Sequence, residues 1–226
     1  MMVAISGIDG SGKTSVAYEV VKKLNDAGCA AVYSRPKYKV CKQFEYHLYH
    51  STGEGTSFDI HPVSALYVSG LMIDWLTHST DFLQRNGHKV IVLDRYVLDV
   101  IAQCIHFNGP PEHFEWFRSM MPEIDIGFFL HVEPEEAFER LINRSVKLRK
   151  FETRRQLGIL QQIYSRLIPA SSGYIEIKNN SLSGTTDLIV SKILSLHDVT
   201  HISPVRHSAA RPLAPLCPCC DSYMYP

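Results

Sequence analysis

Apolar residues in this chain fall into short continuous runs separated by stretches of helical spacing, the pattern of strands that alternate with helices. Met2-Val3-Ala4-Ile5 reads as a first strand, and Val16, Val20, Val21 and Leu24 then recur at helical intervals before Gly28 supplies a stop. Ala30 to Ser34 predicts a second strand, ending on Arg35-Pro36. The polar stretch from Lys37 to Ile60, with Gly53 and Gly55, is expected to be partly loop. Pro62 suits the first turn of a long helix through about Arg85, closed by Asn86-Gly87. Lys89 to Leu93 is continuously apolar after its first residue, as in a strand buried on both faces. A helix follows from Val97 to about His106, broken by Asn108-Gly109-Pro110-Pro111. Ile124 to Val132 predicts another strand, Pro134-Glu135-Glu136 a helix start, Tyr174 to Ile177 a last strand, and Thr186 to Leu196 a closing helix. Such alternation implies an α/β fold: a parallel sheet with right-handed crossovers and helices on both faces.

From about Ser203 the pattern ends, and Pro204, Pro212, Pro215, Pro218 and Pro226 punctuate the remainder. Residues 1–202 are therefore expected to form one domain and 203–226 a tail without a core of its own. Within that tail, Cys217, Cys219 and Cys220 would need His207 or Asp221 to complete a tetrahedral zinc site, so an incidental thiol cluster is the simpler expectation.

Composition narrows the partners. The chain has 226 residues, 45% of them hydrophobic, enough for one well-filled core. Lys plus Arg and Asp plus Glu each number 23, so no global basic field exists to gather nucleic acid. No apolar run approaches the ~18 residues of a membrane span, and no signal-like start is present, which points to a cytoplasmic protein without membrane partners. Cys29, Cys41 and Cys104 are scattered singly, as reduced thiols would be.

The chemistry starts at Gly7-Ile8-Asp9-Gly10-Ser11-Gly12-Lys13-Thr14, which satisfies every fixed position of G-x-x-x-x-G-K-[ST] between a strand and a helix. Gly7, Gly10, Ser11 and Gly12 let the backbone aim N–H groups at nucleotide phosphates; Lys13 would reach the β- and γ-phosphates and Thr14 would ligate Mg²⁺. Asp94-Arg95-Tyr96 lies at the carboxyl end of a buried strand, where open α/β sheets bind ligands. Asp94 there can hold Mg²⁺ or its water, and Arg95 can fork onto a phosphate. Arg140, Arg144, Lys147, Arg149, Lys150, Arg154 and Arg155 form a basic cluster, read as a lid whose Arg144 and Arg149 stabilise charge on a migrating phosphoryl group; a solvated helix face accounts for the others.

In their order and spacing, the phosphate loop, Leu93-Asp94-Arg95-Tyr96-Val97, and Arg144 followed by Arg149-Lys150-Phe151-Glu152 resemble the thymidylate kinase family over roughly residues 1–197. The resemblance implies a P-loop NTPase fold with a lid, and ATP- and Mg²⁺-dependent phosphoryl transfer to dTMP, giving dTDP. It implies that Asp9 lies near the acceptor's sugar, that Arg35 and Arg95 meet the acceptor's phosphate, and that the transition-state cation comes from the lid. Departures occur at the acceptor. Where the family continues from Arg35 with Glu-Pro-Gly-Gly, this chain has Pro36-Lys37-Tyr38; the family's base-reading Arg has no counterpart in Tyr67 to Met72; and Gln103 stands one position early relative to a family Gln. Tyr67 or Trp75 is available to stack on a base. A nucleoside or other small metabolite as acceptor, or a non-catalytic nucleotide-binding module, therefore remain alternatives. Apolar helix faces flanking the sheet would be available for a homodimer.

Overall fold

The computed structural model describes residues 1–51, 63–109, 111–144, 148, 152–169, 171 and 173–202. The tail with its three cysteines, Gly53, Gly55 and Pro62, and the lid residues Lys147, Arg149 and Lys150 lie outside the described residues.

Among the described residues five strands, β1 (Met2–Ser6), β2 (Ala31–Ser34), β3 (Val90–Asp94), β4 (Ile126–His131) and β5 (Tyr174–Lys178), form one parallel sheet in the order β2-β3-β1-β4-β5. The continuous apolar runs are sorted by the two-residue period of a strand. Val3 and Ile5 of β1, Val90 and Val92 of β3, and Phe128 and Leu130 of β4 enter a core shared with α1 (Lys13–Asp26) and α8 (Leu182–Ile202), which contributes Ile189 and Ile193. Ala4, Ile91 and Leu93 point to the other face, under α3 (Val63–Asn86) and α4 (Val97–His106). Phe129 joins a third cluster with Ile8 and with Ala137 of α6 (Pro134–Ile142) and Leu157, Leu160 and Tyr164 of α7 (Arg154–Leu167).

Three helices depart from expectation. The polar stretch after Lys37 is helical from Val40 to Ser51 (α2), because the carboxylate of Asp74, on α3, accepts the N–H groups of Lys39, Val40 and Cys41 at 3.1, 3.0 and 3.1 Å and so caps α2 from a distance in sequence. Gly70 lets the two helices meet, since a Cβ there would stand 2.8 Å from the Cys41 backbone. Pro111, expected to break the chain, instead starts α5 (Pro111–Met120), proline being at home in a first helical turn. The basic segment from Arg154 carries α7, whose Thr153 cap accepts the Gln156 N–H and whose inner face is apolar.

Parallel register places the carboxyl ends of β1 and β3 side by side, with Ile5 opposite Asp94, and the Arg95 N–H extends that ladder to the Ile5 carbonyl at 3.0 Å. The phosphate loop leaves β1 and the Asp-Arg-Tyr motif leaves β3 at this one edge. Among the described residues no helix is long and apolar enough to cross a membrane.

Candidate active site

Gly12 occupies the N-cap of α1 with φ 88°, and no side chain caps the helix and no acid sits in its first turn. The amide-rich, partially positive end is thus left for an anion. Gly10 is held tightly: φ is +84°, and a Cβ there would lie 2.2 Å from the Ala137 carbonyl, so the loop is seated against α6. Lys13 is buried, and its Nζ donates to the Ile8 carbonyl at 2.6 Å. Burial, followed by the charge of Arg95, lowers its pKa to about 8.

Asp94, fully buried, organises the next layer. Its Oδ2 accepts from Thr14 Oγ1 at 2.7 Å, from the Tyr33 hydroxyl at 2.8 Å and from Arg35 Nη1 at 3.2 Å, while its buried Oδ1 has no hydrogen-bond partner among the described residues. Burial alone would push this carboxyl up; the charges of Arg35 and Arg95 outweigh it and hold the pKa below the usual carboxylate range. The Tyr33 phenol moves the opposite way, raised by burial and by Asp94, so it remains a donor. Tyr18 stacks on the Tyr33 ring at 4.0 Å, and Tyr38 lies under the Arg35 guanidinium at 5.4 Å. Thr14, with the free Oδ1 of Asp94 beside it, is a hard-oxygen pair that fits Mg²⁺. Among the described residues no group of three His, Cys, Asp or Glu side chains is arranged for a metal, so Thr14 and Asp94 carry the metal expectation alone.

Arg95 sits at φ 73° and is clamped between two acids. It donates through Nη2 to Asp9 Oδ1 in the phosphate loop, and Nη1 lies 3.7 Å from Asp99 Oδ1 on α4. These carboxylates more than reverse the downward pull of burial on its pKa.

Beside this edge opens a cleft between α2, α3 and α4. Asp9, Arg35, Tyr67, Arg95 and Gln103, the five residues expected to meet the acceptor, all line it. α3 contributes Tyr67, Leu71 and Trp75 at four-residue spacing, an uncharged wall, and the Oε1 of Gln103, another lining residue, is buried without a partner among the described residues. On the far side of the phosphate loop a second pocket is bounded by Gly12, Arg140, Asn179 and Leu182. Asn179 Nδ2 donates to the Ser11 carbonyl at 2.7 Å, and Arg140 Nη2 to the Asn179 carbonyl at 3.0 Å. Of the lid cations, Arg144 is turned to the buried Glu152, contacting both carboxylate oxygens at 2.6 and 2.5 Å; Arg149 lies outside the described residues.

Sequence reasoning gave no role to Tyr33, Tyr38, Asp99 and Asn179, and took Glu152 only as part of the lid motif. Asp99 carried a signal, an acid in the first turn of a helix after the Asp-Arg-Tyr motif; the rest depend on tertiary packing.

A parallel sheet in this order, with a phosphate loop and an acid–arginine pair at one edge, defines a P-loop phosphotransferase. The sequence model of the thymidylate kinase family matches residues 5–189, and the chain belongs to that family. A probable thymidylate kinase of Pyrobaculum calidifontis is 30% identical over 165 residues, 73% of this chain and 80% of its own length. The thymidylate kinase of Brachyspira hyodysenteriae is 26% identical over 206 residues, covering 86% and 96% of the two chains. Among solved structures, the deoxyadenosine kinase of M. mycoides, solved with dCMP and a flexible dCDP bound, superposes with a TM-score of 0.63 at 16% identity, over 86% of this chain and 100% of its own; this likeness concerns the fold. The chain is a phosphotransferase of the nucleoside monophosphate kinase type.

Proposed function

We propose that this enzyme transfers the γ-phosphoryl group of ATP to the 5′-phosphate of dTMP, with Mg²⁺ held by Thr14 and Asp94, to give dTDP and ADP. The observation that carries the reading is the bridging of donor and acceptor sides: Asp94 binds Thr14 of the phosphate loop and Arg35 of the cleft through one oxygen, and Arg95 of the cleft binds Asp9 of the loop.

When bound, Mg²⁺ would offset charge on the β- and γ-phosphates. The chain's own groups do the positioning. The loop amides and Lys13 hold the donor phosphates, and the pocket between Arg140, Asn179 and Leu182 is open beside them for the donor's base. Arg35, with Tyr38 beneath it and Asp94 beside it, and Arg95, between Asp9 and Asp99, present cations of set orientation to the acceptor phosphate. A phosphate oxygen is already ionised, so no strong base is needed and catalysis rests on alignment and charge stabilisation. The acceptor's base would lie against Tyr67, Leu71 and Trp75, within reach of Gln103. Arg144 and Arg149 remain the candidates to meet the migrating phosphoryl group; Arg144 would exchange Glu152 for it.

Coupled ADP release, measured over dTMP, dUMP, dCMP, dAMP and thymidine, tests the proposal. dTMP should give the highest kcat/KM, and Lys13→Ala should abolish turnover with the fold retained. Faster turnover of thymidine than of any monophosphate, or none with the whole panel, would overturn it.

A further inference from the structure

Arg95 is cleft-facing, and the group that fixes it on its second side, Asp99, lines the same cleft yet is almost wholly buried. Asp99 is 2% exposed and collects four partners from separate parts of the fold. Its Oδ2 accepts from Ser6 Oγ, at the end of β1, at 2.6 Å, and from the Tyr96 N–H at 2.9 Å. Its Oδ1 accepts from the Tyr164 hydroxyl of α7 at 2.8 Å and faces Arg95 Nη1 at 3.7 Å. The Tyr174 hydroxyl, from β5, adds a contact to Ser6 Oγ at 3.4 Å.

Two roles are compatible with an acid at this helix position. As a cap, Asp99 needs only the Tyr96 N–H of its own first turn. Ser6 and Tyr164 add nothing to a cap, and Tyr164 is a large, fully buried side chain whose polar end is spent on this one carboxylate. Buried hydroxyls that converge on a carboxylate fix its orientation, and the carboxylate in turn restrains the guanidinium in front of it. Arg95 has reason to need such restraint. Its left-handed backbone is costly for a residue with a Cβ and persists only where the surroundings over-determine it, and its other side is held by Asp9, which belongs to the phosphate loop rather than to α4.

We infer that Asp99, oriented by Tyr164 and Ser6, is a positioning residue that aims Arg95 at the acceptor's phosphate, so that α7 contributes to acceptor selection through the Tyr164–Asp99 hydrogen bond. The inference rests on the reading of Arg95 as an acceptor-phosphate ligand. It follows that damage to this network weakens recognition of the phosphate and spares recognition of the nucleoside portion, which lies against α3.

The test uses the full chain and three variants: Tyr164→Phe, which deletes one hydroxyl at constant ring volume, Asp99→Asn, which keeps shape and removes charge, and the double variant. Calorimetric Kd values are measured for dTMP, for thymidine and for a non-hydrolysable ATP analogue, with melting curves as the control for folding. Each single variant should weaken dTMP by about tenfold, the worth of a misaligned charge-assisted contact, with thymidine and the ATP analogue held within about twofold. The double variant should lose little more than Asp99→Asn, because both changes act on one carboxylate. A wild-type protein that binds no nucleoside monophosphate sinks the functional reading and this inference together. A wild-type protein that binds dTMP, with variants that keep wild-type preference for dTMP over thymidine or weaken all three ligands alike, overturns the inference alone and leaves Asp99 a helix cap. Should Asp99→Asn fail to fold, Tyr164→Phe decides by the same comparison.

Discussion

Lys13 is a charge buried for function at the expense of stability. Its pKa falls from 10.5 to about 8, chiefly through burial, so between those values the unfolded chain carries a proton that the folded chain has lost. The destabilisation is therefore complete below about pH 8 and fades as pH rises toward the unfolded value, a span worth roughly 3 kcal/mol. Lys13→Met should raise Tm at pH 7, with the gap over wild type narrowing between pH 8 and 10; melting curves across that range check it, and a gap independent of pH would contradict it. In the same range wild-type kcat/KM for ATP should fall above about pH 8, as the free enzyme loses the ammonium. At this scale the sequence was most readable where function is local. Lys13, Thr14, Asp94, Arg95 and Asp9 lie in contiguous motifs, and their types state their chemistry. Tyr33 and Tyr164 do not: each is an aromatic among aromatics until the fold brings its hydroxyl to Asp94 or Asp99.

At the scale of elements, α2 depends on α3. The carboxylate of Asp74 holds three N–H groups at the start of α2, and α2 supplies Cys41, Lys42 and Glu45 to the cleft wall. Asp74→Ala removes a buried cap shared by several donors and should cost about 1–3 kcal/mol by chemical denaturation. Because α2 borders only the acceptor side, KM for dTMP should rise several-fold with KM for ATP nearly unchanged; equal rises in both would refute this division. The same dependence explains why a helix from Val40 to Ser51 was not evident within a stretch expected to be partly loop: the cap of α2 is 34 positions away on another helix, as the Val40–Asp74 bond shows. α5 and α7 were hidden differently. A proline at the first turn and a run of arginines masked inner faces as apolar as Phe117 and as Leu157, Leu160 and Tyr164. The central strands, by contrast, were plainly visible, since β1, β3 and β4 are covered on both faces and their runs are buried almost throughout, whereas the edge strand β5 is largely exposed and interrupted by Glu176.

For the whole molecule, the sheet order makes one edge of five strands the meeting point of motifs 80 residues apart, Thr14 and Asp94. Among the described residues, the core that supports this edge reaches its last buried members at Ile189 and Ile193 of α8, packed on α1. Removal of residues 203–226 should therefore leave Tm within about 2 °C and kcat/KM within about twofold. Calorimetry and the ADP assay on the shortened chain check this, and collapse of either, or loss of a stoichiometric zinc signal with Cys217, Cys219 and Cys220, would give the tail a structural role.

One property of the site bears on how substrates arrive. Lys13, Arg35 and Arg95 are matched at close quarters by Asp9, Asp94 and Asp99, so the cleft of a protein with formal net charge +0 is itself close to electrically neutral. A multiply charged nucleotide is then met by little long-range pull, and its capture rate should respond weakly to ionic strength. Discrimination begins only at contact, when a phosphate competes with a carboxylate for an arginine. On the proposed reading the enzyme would exchange ion-pair partners rather than trap anions, and other polyphosphates in the surrounding solution would gain no foothold from charge alone.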